Sequence, residues 1–78
     1  MMDEIYAILE ELRPEFDFRK SENFVDDGFL DSFDIISIIS VIEEKYGIVI
    51  DGLDILPENF ETAAAIAALI NKSGGHVQ

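Results

Sequence analysis

A chain of 78 residues has room for one compact core and none for a deep substrate chamber, since a domain near this size buries only about 60% of the surface its unfolded chain exposes. Its 49% hydrophobic content separates it from disordered acidic chains. With 17 Asp and Glu against five Lys and Arg, a formal net charge of -12, it lacks the cations that bind nucleic acid or anionic membranes by displacing counterions.

Near the amino end Ile5, Ile8, Leu9 and Leu12 recur at helical spacing with Glu4, Glu10 and Glu11 opposite, which predicts an amphipathic helix starting near Asp3. Pro14 ends it, because the residue before a proline is pushed out of the helical region. Neither a secretory leader nor an apolar run of about 18 residues is present, so a cytoplasmic protein without membrane insertion is expected. The connection to about Leu30 carries Phe16, Phe18, Phe24, Val25 and Phe29. A loop this long needs anchors to stay compact, and these side chains are read as core plugs that order it. Gly28, after Asp26 and Asp27, is placed in a turn.

The second helix is predicted from Ser32 to Tyr46. Its stripe of Ile35, Ile38, Ile39, Ile42 and Tyr46 faces the core, while Ser32, Phe33, Ile36, Ser37, Ser40, Glu43 and Glu44 project elsewhere. Gly47 fits a left-handed cap, and Ile48, Val49 and Ile50 lead into a loop. Gly52, Pro57 and Asn59 limit the next stretch to a short helical turn around Leu53 to Leu56. Thr62 fits an N-cap for a last helix from Ala63 to Asn71, followed by a flexible tail over about 73–78. The fold expected is all-α: one domain over 1–78, a small four-helix bundle with a long ordered loop between helices 1 and 2 and a short third helix.

Chemistry-bearing residues are few. The chain has no cysteine, which removes disulfides, thiolate metal sites and a protein thiol nucleophile, so thiol chemistry must be imported. The lone histidine, His76, lies in the tail, and there is neither a Gly-rich phosphate loop nor a nucleophile paired with a base. Asp26, Asp27, Asp31 and Asp34 crowd together without the order of a calcium loop; loose divalent binding is the most they suggest, and no metal site is assigned. Between Asp26 and Glu61 stand ten acids and one base, Lys45. That field steers partners with basic patches.

Gly28-Phe29-Leu30-Asp31-Ser32-Phe33-Asp34, followed by Ile42-Glu43-Glu44-Lys45-Tyr46-Gly47-Ile48 at the helix end, resembles the acyl carrier protein superfamily over nearly the whole chain. The tripeptide Asp31-Ser32-Phe33 stands where the family has Asp-Ser-Leu, and the Leu-Asp-Ser-Phe form is similar to that of D-alanyl and other stand-alone carriers. The resemblance implies that Ser32 receives 4'-phosphopantetheine from coenzyme A through a phosphopantetheinyl transferase, with Asp31 as flanking motif. It also implies that an acyl- or aminoacyl-activating ligase loads the arm's thiol, and that downstream acyl-transfer enzymes with basic patches dock on Phe33, Asp34, Ile36, Ser37, Ser40, Glu43 and Glu44. Such a carrier is a monomer and a substrate of other enzymes, not an enzyme. Position alone leaves Ser32 open as an ordinary N-cap, and Phe33 open to folding against the preceding loop. An unmodified acidic helical module for protein–protein interaction is the alternative reading.

Overall fold

The computed structural model describes residues 2–77. Three α-helices, α1 (Asp3–Leu12), α2 (Ser32–Tyr46) and α3 (Ala63–Lys72), are linked by segments holding 3₁₀ turns at Phe18–Lys20, Gly52–Asp54 and Pro57–Phe60. The predicted short third helix around Leu53 to Leu56 is instead this last pair of separate turns. Each has a local cause: the Asp51 carboxylate accepts the Leu53 N–H at 2.9 Å, and Pro57 opens the next turn where its missing N–H costs nothing. The two turns do not merge into one helix because Leu56, the residue before Pro57, is extended at φ -123° and ψ 142°, and the Asn59 side-chain amide ties them together by donating to the Asp54 carbonyl at 2.7 Å.

Helices α1 and α2 run antiparallel. Arg13, just past the end of α1, pairs with Asp34 at the start of α2, while the Tyr46 hydroxyl at the other end of α2 donates to Glu4 at the start of α1, 3.2 Å away. Burial beside the Glu4 charge raises the Tyr46 pKa above the ordinary phenol value. The isoleucine stripe of α2 (Ile35, Ile38, Ile39, Ile42) is buried together with Ile5 and Leu9 of α1 and Ile66, Leu69 and Ile70 of α3.

Aromatic side chains organise the connection between α1 and α2. Phe18 and Phe24 are fully buried with their rings edge to face at 5.2 Å, and Phe16 stacks on Phe29 at 4.5 Å. The Phe24 carbonyl accepts the N–H groups of both Phe29 and Leu30, closing the turn in which Gly28 has φ 75°. The Phe24 N–H in turn donates to the Glu61 carbonyl at 2.8 Å, tying this segment to the approach to α3. Arg19 bridges Asp3 and Glu10 and lies over the Tyr6 ring.

Helix ends follow the expected caps. Gly47 closes α2 at φ 65°, and Thr62 accepts the Ala65 N–H to open α3. In the segment expected to be a flexible tail, the Gly75 N–H donates to the Ile70 carbonyl, the Val77 N–H donates to the Asn71 side chain, and Val77 packs partly against the core. Gln78 lies outside the described residues. Among those residues no helix is long and apolar enough to cross a membrane.

Candidate functional site

The amino end of α2 is built by a reciprocal pair of aspartates. Asp31, in extended conformation, is the N-cap; its Oδ1 accepts the Asp34 N–H at 2.9 Å, and Asp34 Oδ2 accepts the Asp31 N–H at 3.2 Å. This capping box satisfies donors that the helix itself leaves without acceptors. Hydrogen bonding from the Asp34 backbone is the main reason the Asp31 pKa lies below the usual aspartate value, and Arg13 adds a smaller charge effect.

Because Asp31 does the capping, Ser32 does not. Ser32 is the first residue of α2, it is exposed, and its hydroxyl forms no hydrogen bond among the described residues. The N-cap role that its sequence position allowed belongs to its neighbour. A hydroxyl in this place is free to be esterified, and the positive end of the helix dipole suits a phosphodiester attached there.

Around it the predicted docking residues separate. Phe33 is 75% exposed and Ile36 57%, so Phe33 stands out from the surface and does not fold onto the preceding loop. Ser40 and Glu44 are exposed and Ser37 is half-buried. Asp34 is not a surface residue: it is 3% exposed and its carboxylate is consumed by Asp31 and Arg13. Glu43 is also diverted, half-buried with Oε2 accepting the Ile50 N–H at 2.9 Å. The surface of α2 beside Ser32 is therefore Phe33, Ile36, Ser40 and Glu44, with Ser37 at its edge.

A family model for the phosphopantetheine attachment site matches residues 4–70. The chain belongs to that family. It is thereby a member of the acyl carrier protein superfamily, and its prosthetic group is covalently attached 4'-phosphopantetheine. No curated protein and no solved structure gives a significant match. The residues around the start of α2 fit the group: a free, exposed hydroxyl for the ester and a helix whose capping does not depend on it. The arm would supply the thiol that a chain without cysteine cannot provide. Carrier domains of this family interact with enzymes such as transferases and ligases.

Arg13 joins this site without any signal in the sequence. Its partner Asp34 is 21 positions away, and no local periodicity links a residue after one helix to the first turn of the next. Among the described residues no group of three or more His, Asp or Glu side chains is placed to hold a metal ion; Asp34 of the predicted acidic cluster faces Arg13, and Asp27 accepts from Ser21.

Proposed function

We propose that Ser32 carries the 4'-phosphopantetheine arm and that the protein holds an acyl or aminoacyl group on it as a thioester for delivery to partner enzymes. The observation that carries this reading is the division of labour at the start of α2: Asp31 caps the helix, leaving the exposed Ser32 hydroxyl without a structural task. Asp31 acts as flanking motif through the cap it makes. A thioester keeps the cargo reactive toward nucleophiles, and the tether raises its effective concentration in each partner's site. Partners reach the arm across Phe33, Ile36, Ser40 and Glu44, so the docking surface combines two apolar anchors with a carboxylate. Modest charged contacts suit partners that must bind and leave in turn. As substrate of a transferase and a loading ligase, the chain needs no catalytic residue of its own.

Incubation with coenzyme A and a broad-specificity phosphopantetheinyl transferase should add one arm, seen by intact mass spectrometry, and Ser32→Ala should add none. Equal modification of the Ser32→Ala protein would move the site elsewhere. An unchanged wild-type mass, under conditions that modify a known carrier, would favour an unmodified acidic interaction module.

A further inference from the structure

The connection between α1 and the serine is continuous. Arg13 directs both Nε and Nη2 at a single oxygen, Asp34 Oδ1, at 3.0 and 2.9 Å. The other Asp34 oxygen takes the Asp31 N–H, and Asp31 returns the bond to the Asp34 N–H. Asp31 is bonded to Ser32 through one peptide. Every link from the end of α1 to the residue before Ser32 is thus a charge-assisted hydrogen bond or a covalent bond.

A capping box needs only an oxygen at its third helical position, and a neutral amide supplies one. This chain places a carboxylate there and buries it, with the Asp34 side chain only 4% exposed. A charge so enclosed is tolerated when paired and costly when its partner is removed. Among the described residues Arg13 is the one cation paired with it. Deleting Arg13 therefore strains the box itself: Asp34 must turn outward to find water, and Asp31 loses the acceptor for its N–H. The entry of the chain into α2, and with it the direction of the Ser32 Cα–Cβ bond, depends on that acceptor.

We propose that Arg13 is a positioning residue for transfer of the arm to Ser32, acting through Asp34 and Asp31 without touching the serine. The proposal rests on Ser32 being the attachment residue. It makes the end of α1, remote in sequence, a determinant of how well a transferase can align the nucleophilic hydroxyl, for which small displacements cost large factors in rate.

The test compares wild type with Arg13→Met, Arg13→Lys and the double variant Arg13→Met/Asp34→Asn. Transfer from coenzyme A is measured at a temperature where circular dichroism shows each protein folded, and the amide resonances of Asp31, Ser32 and Phe33 are followed by NMR. Arg13→Met should lower kcat/KM roughly ten- to a hundredfold and shift those three resonances. Arg13→Lys should recover most of the rate, because both guanidinium bonds reach one oxygen and a point charge can replace them. The double variant should also recover it, since the amide oxygen of Asn accepts the Asp31 N–H and no buried charge remains. Wild-type kcat/KM in Arg13→Met with unmoved resonances, even with a lower melting temperature, would reduce the pair to a structural brace and overturn the proposal. So would a loss in Arg13→Met that neither Lys nor the double variant restores. A wild type that accepts no arm would instead remove the Ser32 reading on which the proposal stands.

Discussion

Exposure divides neighbouring side chains of α2 into two kinds. Ile36 is 57% exposed and Ile39 7%, although both are isoleucines in the same helix. Ile39→Ala opens the core and should cost roughly 2–5 kcal/mol. Ile36→Ala should change stability by no more than about 0.5 kcal/mol, as surface substitutions do, while slowing loading by a partner enzyme. Thermal melts and loading rates on the two variants check this; equal destabilisation would mean that the faces are misassigned. Glu43 and Glu44 part in the same way. Glu44→Lys should leave the fold intact and weaken docking on a basic partner. Glu43→Lys takes the acceptor from the Ile50 N–H, and urea denaturation should show a loss of about 1–3 kcal/mol. If the two reversals destabilise alike, the bond from Glu43 to the chain beyond Gly47 does not form in solution.

Helix α2 depends on particular residues at both of its ends. Gly47 has φ 65° with open space where a Cβ would stand, so the penalty for Gly47→Ala is conformational and should be about 1–2 kcal/mol. A melt unaffected by that change would mean the cap is not left-handed. At the other end of α2 the cap responds to pH with a definite sign. The folded-state pKa of Asp31 is lowered from its ordinary 3.8, so its stabilisation is fully present above that value and is lost as pH falls through the lower, folded pKa. An NMR titration following the Asp34 amide should show a midpoint below 3.8. A midpoint at or above it would contradict the reciprocal cap.

Over the whole molecule, attraction and repulsion between charges are unequal. All five bases are engaged: Arg13 with Glu15 and Asp34, Arg19 with Asp3 and Glu10, Lys20 with Asp17, Lys45 with Glu4 and Lys72 with Asp54. Most of these pairs are exposed and each contributes little, whereas the net charge of -12 acts on the compact state everywhere. Salt weakens both effects, and the larger one is repulsion. Raising ionic strength from about 10 mM to 150 mM, which shortens the screening length from about 30 to 8 Å, should therefore raise the melting temperature. A fall on adding salt would mean that the ion pairs outweigh the repulsion.

Periodicity and caps were enough to place α1, α2 and α3 within a residue or so, because a helix is written in near neighbours: the isoleucine stripe, Gly47 and Thr62 all act within one or two turns. The family, too, was legible in the run from Gly28 to Asp34. What the sequence could not decide were matters of direction and long-range pairing. Whether Asp31 or Ser32 capped α2 depended on which oxygen reached the Asp34 N–H. Whether Asp34 and Glu43 faced partners depended on Arg13 and Ile50 arriving beside them from other segments. Helical projection places a side chain on an arc, but only the packed neighbours on that arc determine whether it meets water or a charge, and those neighbours are brought together by the tertiary fold.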